Sequence, residues 1–387
     1  MVVLRILFFE LLQVAVGQRE MLSHAPSDEE WRALHDMARK QAVLGVCFYA
    51  VQELHEQGQT PPQELIYRWF SETEIIKRRN NIVSKQCYQV QSKFSEAGIR
   101  SSILKGQGVA QYYGEELSSF RQSGDIDVYA DGGFERALKF AHDCGQKDVK
   151  WDYKHLHLNV FPDTEVEMHY RVEVLLNLMK NRKLQKWFER HTEEIFGHTD
   201  STDNTEKDST TNFTNDTNNC PAEIKERAEI VTPSVEFNVF YILLHIYRHF
   251  LYEGVGLRQI MDYYFVLMRL NDNHNVNESY AYKAVHEFGM TRFARGLMWT
   301  MHEALEMPRE WMLWEPDEKE GRYILEQVMM GGNFGHHDER LKHSGGKLGA
   351  VKAILTHNMH LLTHYPADTI WAPVWIVWHK LWKMTRR

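Results

Sequence analysis

The chain changes its hydrophobic rhythm twice. Through residues 1–97, apolar positions recur three and four apart, the period of a helix with one buried face. "SDEEWRALHDMARKQAVLGVCFYAVQEL" opens on Ser27 as an N-cap, with acids in the first turn. "PPQELIYRWFSETEIIKRRNNIVSKQCYQVQSKFSEAG" starts at a proline pair and stops near Gly98. From Ile99 the period shortens to two. "IRSSILKG" predicts a strand running into a glycine turn, "GVAQYYGEE" a short helix, and "SGDIDVYA" a second strand. "GGFERALKFAHDCG" predicts a helix closed by Gly145, and "KHLHLNVF" and "TEVEMHYRV" alternate about a Pro-Asp turn as a hairpin does. Beyond residue 222 helical spacing returns, and "PSVEFNVFYILLHIYRHFLYEGVGLRQIMDYYFVLMRL" spans two strongly apolar helices.

The pattern therefore predicts an α+β protein: a helical region 1–97, a mixed core 98–197 and a helical domain 223–387. Between the last two lies "HTDSTDNTEKDSTTNFTNDTNNCPA", residues 198–222, too polar to offset its ordering entropy and expected to be a flexible insertion. The opening "MVVLRILFFELLQVAVGQRE" reads as a buried helix rather than a signal peptide, because Glu10 interrupts the apolar run and no small-residue cleavage site follows. No apolar run reaches the ~20 residues of a membrane span. The net charge of -8 argues against a broad nucleic-acid-binding surface. Cys47, Cys87, Cys144 and Cys220 form no CxxC pair and suit free thiols in a reducing compartment, so the protein is expected to be cytoplasmic.

"RQSGDIDVYAD" is where the sequence asks for chemistry. On a strand, residues two apart share a face, so Asp125 and Asp127 would lie about 7 Å apart. Two carboxylates so close repel and call for a positive charge between them. Mg²⁺ fits, being a hard ion that takes oxygen ligands and leaves positions for water and phosphate. A third carboxylate is offered by "TEVEMHY"; Glu167 is preferred to Glu165 because its strand is the better placed to pair with the Asp-x-Asp strand. The glycine turn before the short helix suits a phosphate, so Lys105, Gly106 and Gly108, with Arg121 and Ser123 flanking the aspartates, are the nucleotide-binding candidates. Metals that clamp phosphates and activate an acceptor oxygen point to attack on a nucleotide phosphorus.

The order of glycine turn, helix, Asp-x-Asp strand and later strand carboxylate resembles the DNA polymerase β-type nucleotidyltransferase superfamily. More narrowly, "ILKG…YYG…RQSGDIDVYAD…HLHLNVF…EVEMHYRV…LLHIYRHF…LRQIMDYYFVL" is similar to a family of uncharacterised bacterial nucleotidyltransferases. That resemblance implies a polymerase-β-like core and two-metal transfer of NMP from an NTP. It also implies Mg²⁺ or Mn²⁺ held by Asp125, Asp127 and Glu167, and an acceptor that is a protein, RNA, sugar or small molecule. The superfamily usually shows Gly-Gly or Gly-Ser in its turn, where this chain has Gly106-Gln107-Gly108 and a longer gap to the aspartates.

Other features have plainer readings. His155 and His157 share a strand face and are expected to pack and hydrogen-bond rather than bind metal. His169, on the face of Glu167, would orient a ligand or act as a base. His245, Arg248, Arg258 and Asp262 are expected to form a buried polar network, Asp262 pairing an arginine, with a cleft wall facing the nucleotide or acceptor as the alternative. The tail "IWAPVWIVWHKLWKMTRR" carries four tryptophans, more easily read as packing than as a membrane anchor. Two alternatives to catalysis stand beside the main reading. One is a nucleotide- or partner-binding protein on the same fold; the other is an interaction protein docking on a membrane through that tail.

Overall fold

A computed structural model describes residues 2–197, 230–271, 279–332 and 361–385. The insertion at 198–222, and with it Cys220, lies outside the described residues; Cys47, Cys87 and Cys144 carry free thiols. Four helices lead in: α1 (Val2–Ala15), α2 (Asp28–Lys40), α3 (Leu44–Glu56) and α4 (Gln63–Glu96). Ser27 caps α2 with a reciprocal bond to Glu30, satisfying two orphan donors. The continuous helix expected from Ser27 to Leu54 breaks at Gln41–Val43, where Ala42 turns left-handed at φ 56°. Long-range bonds hold that break: the Gln41 side chain donates to Val328 O and accepts from Leu257 N.

The sheet follows. Strands β1 (Ser101–Ile103), β2 (Ile126–Ala130), β3 (His155–Leu158) and β4 (Val166–His169) lie in the order β1-β2-β4-β3. β1 runs antiparallel to β2, β2 parallel to β4, and the expected hairpin joins β3 to β4. Between β1 and β2 come the short helices α5 (Gln107–Ala110) and α6 (Gly114–Leu117), and between β2 and β3 comes α7 (Gly133–Asp143). Strand alternation splits the sheet in two. Ile126, Val128, Leu156, Leu158, Val166 and Met168 pack with Val83, Cys87, Val90 and Phe94 of α4 and Phe140 of α7. Asp127, His155, His157, Glu167 and His169 occupy the opposite face.

A second, larger core joins α1–α3 to the helical region. There α10 (Val235–Tyr252) packs on α11 (Leu257–Asn271), and α13 (Thr291–Leu305) on α14 (Glu318–Gly331); α8 (Leu178–Arg190), α9 (Thr192–Ile195) and α12 (Tyr280–Glu287) complete the elements used here. Residues Leu7–Ala15 of α1 are buried in this core. None of the described helices is long and apolar enough to cross a membrane. The Trp-rich tail forms a helix, Trp371–Met384, with two characters. Trp375, Trp378 and Trp382 set their edges against Tyr153, and Lys383 donates to Trp151 O at 2.7 Å. Ile370, Val374, Val377, Leu381 and Met384 remain exposed along the other side.

Candidate active site on the polar sheet face

The central pairing of the sheet builds the site. β2 and β4 run parallel with Asp127 directly opposite Glu167. Asp125 precedes the first residue of β2 and lies at the solvent edge rather than on the pleat. Beyond the end of β1, Leu104 N donates to Asp127 O at 2.9 Å, which extends the pairing and delivers Lys105 to the carboxylates.

The positive charge that the aspartates call for is supplied within the chain. Lys105 Nζ lies 2.8 Å from Asp127 Oδ1, and His169 Nε2 lies 3.0 Å from the same oxygen and 3.3 Å from Glu167 Oε2. Burial alone would raise the Asp127 carboxyl, but Lys105 and His169 outweigh it and hold the group well below the usual carboxylate range. For His169 the balance is the mirror image: burial disfavours its charge, yet hydrogen bonds to Asp127 and Glu167 push its pKa up. Asp125 goes the other way from Asp127, raised by partial desolvation and by its neighbour's negative charge.

The glycine turn is set by packing as much as by openness. Gly106 adopts φ 61°, a left-handed conformation costly for a side chain. A Cβ on Gly108 would lie 2.5 Å from Ile103 O, so α5 approaches β1 too closely for anything but glycine. Gln107 ties the turn to α4 by donating to Asn80 O and Ser84 Oγ. Since α5 is a single turn, its dipole is small, and Lys105 carries most of the positive charge here.

The remaining candidates divide. Ser123 Oγ is buried without a hydrogen-bond partner among the described residues. Arg121 is 3% exposed and closes its fork on Asp262, at 2.7 Å from Nε and 2.8 Å from Nη2. Tyr113 OH donates to the same carboxylate at 2.7 Å, and Arg258 donates to Gln122 O at 2.9 Å. His245 and Arg248 surround the fully buried Glu173 together with Lys154, a partnership that no local pattern marks. Glu165 is exposed and holds His157 Nδ1 at 2.6 Å. Among the described residues, potential metal ligands converge within 4.8 Å in two groups: His155–Glu167–His169 and His157–Glu165–Glu167. Asp125 and Asp127 belong to neither. Two large clefts, about 1370 and 860 Å³, open elsewhere, the first between Tyr49, Tyr113 and Arg269 and the second beside Tyr129 and Arg182; neither is lined by Asp127 or Glu167.

Among curated proteins and among solved structures, nothing matches this chain. The profile of a family described as an uncharacterised nucleotidyltransferase matches residues 27–306, which takes in α2, the whole sheet and the helices as far as α13. The match covers well over half of the sequence and every residue of the polar sheet face, so the chain belongs to this family of uncharacterised nucleotidyltransferases.

Proposed function

We propose that the protein transfers an NMP from an NTP to an acceptor on a polymerase-β-type core, with Asp125, Asp127 and Glu167 as its acidic residues. One observation carries the reading: Asp127 and Glu167 are opposite one another on adjacent inner strands, with Asp125 at the open edge. The donor set fits a hard divalent cation such as Mg²⁺ or Mn²⁺. Its oxygens are carboxylate, and the Asp125 pKa is raised by burial first and then by the negative charge of Asp127, which a bound cation would relieve. Such an ion would supply Lewis-acid polarisation of the phosphates and a lowered pKa for the attacking hydroxyl.

The chain's own residues supply the rest. Lys105 moves from Asp127 to the donor phosphates once the carboxylate has another counterion, a shift its four-carbon stem allows. Ser123 Oγ, buried without a hydrogen-bond partner among the described residues, would donate to the nucleotide. Gly106 lets the backbone approach the phosphates, and Gly108 keeps α5 seated on β1. Arg121, occupied by Asp262, serves from behind by fixing the segment that leads into Asp125.

The test is to incubate the protein with each α-labelled NTP, Mg²⁺ or Mn²⁺ and cell extract, following pyrophosphate release and transfer of label. Label should appear on one acceptor class with wild-type protein and vanish with Glu167→Gln. Absence of pyrophosphate and label with all four nucleotides, from protein that is stabilised by Mg-NTP, would leave a nucleotide-binding protein instead.

A further inference from the structure

The polar sheet face continues past the carboxylates to a second kind of donor. His155 on β3 is paired in register with His169 on β4. His155 Nδ1 lies 3.5 Å from Glu167 Oε2, the oxygen that His169 Nε2 approaches at 3.3 Å. One carboxylate oxygen thus sits between two imidazoles, and the three ligand atoms lie within 4.8 Å of one another.

His155 is 9% exposed, and its Nδ1, 3.5 Å from Glu167 Oε2, has no hydrogen-bond partner among the described residues. A buried ring nitrogen left unpaired is costly unless something else satisfies it. The neighbouring group, His157–Glu165–Glu167, is more exposed, and there His157 Nδ1 already has Glu165. Of the two ring nitrogens that approach Glu167 Oε2, the unsatisfied one is on His155.

We propose that His155, Glu167 and His169 bind a borderline divalent transition metal of the Co²⁺, Ni²⁺ or Zn²⁺ class, distinct in donor set from the oxygen site of Asp125 and Asp127. Imidazole nitrogen suits these ions, whereas Mg²⁺ prefers oxygen and keeps much of its water. Glu167 belongs to both sets and would couple them. The ligand set stands whether or not the protein transfers nucleotides.

Co²⁺ is the probe, because its visible absorption reports ligation directly. Titrating the metal-free, full-length protein with Co²⁺ should give saturable ligand-field bands that Zn²⁺ removes and a large excess of Mg²⁺ does not. His155→Ala should weaken Co²⁺ binding by at least about tenfold, while Asp125→Asn leaves it unchanged. Circular dichroism of each variant without metal separates lost binding from lost folding. Should His155→Ala fail to fold, the wild-type titration still decides: no bands, or bands displaced by Mg²⁺, overturn the site. Undiminished Co²⁺ binding by folded His155→Ala overturns it too. Intact Co²⁺ binding without pyrophosphate release would sink only the transferase reading, and release without Co²⁺ binding only this one.

Discussion

Two charged clusters lie a few residues apart in sequence and teach opposite lessons. At Arg121, one guanidinium meets one carboxylate through two parallel bonds, and Tyr113 fills a remaining acceptor position on Asp262. That pair is matched, out of water, in the planar geometry that arginine suits best. On the sheet face, Asp127 and Glu167 share His169 and Lys105 rests on Asp127, so the proton on that imidazole must serve two carboxylates, while Asp125 lies beyond them at the edge. Burial, and after it the Asp127 carboxylate, raise the pKa of Asp125. A closed set of charges holds a structure together; a set left short of positive charge at an open edge is ready to take one from solution.

Asp262→Ala breaks the comparison most severely. It strands Arg121 in the interior, and removing one partner of a buried pair typically costs about 3–5 kcal/mol. Urea melts check it, and a loss below about 1 kcal/mol would mean that the cluster is not the clamp its geometry describes. Asp127→Asn comes next. Repulsion between neighbouring carboxylates would by itself make that change stabilising, but Lys105 and His169 both rest on Asp127. The variant should lose about 1.5–3 kcal/mol, the worth of hydrogen bonds to charged groups, together with nucleotidyl transfer. Thermal melts beside a pyrophosphate assay measure both, and a more stable variant would show that repulsion outweighs the bridges.

Acid sharpens the contrast. Burial and His169 hold the His155 pKa down at about 4, and burial and Arg248 hold His249 at about 4 as well. Unfolded, each takes a proton near pH 6.5. The unfolded chain therefore binds more protons between those values, and stability should fall as pH drops from about 6.5 to about 4. Below that, Asp127 adds its own loss as pH falls through its depressed folded pKa. Denaturant melts across the range should show a shallower slope for His249→Gln. The smallest effect belongs to Glu165→Gln. Its partner His157 is at the surface, where such pairs contribute about 0–1 kcal/mol. Transfer should survive that change and be lost in Glu167→Gln, dividing two glutamates two residues apart.

Much of this was legible because a two-residue period does two jobs. The alternation that sends Val128, Leu156 and Met168 into the core sends Asp127, His155 and Glu167 to the other face, and the hairpin pattern places Glu167's strand within reach of Asp127. What escaped was long-range or a matter of fine geometry. Lys105 reads locally as a phosphate ligand, and only the extension of β1 past Leu104 lays it on Asp127. Arg121 reads as a nucleotide contact from its place beside the aspartates, yet its partner lies 141 residues onward. The break at Ala42 is held by Leu257 and Val328, which no local pattern contains. His155 shows its strand face in the sequence, but not that its Nδ1 has no hydrogen-bond partner among the described residues.

The position of β2 and β4 has a consequence for motion. Both are inner strands, hydrogen-bonded along each edge, so local fraying at β1 or β3 does not release them. Segments of this kind open only with a large part of the domain, near the full free energy of unfolding. Backbone amides of Val128 and Met168 should accordingly exchange with deuterium among the slowest in the chain, with edge-strand amides faster. Asp127 and Glu167 then stand on a rigid floor, and whatever binds beside them meets carboxylates whose backbone does not move.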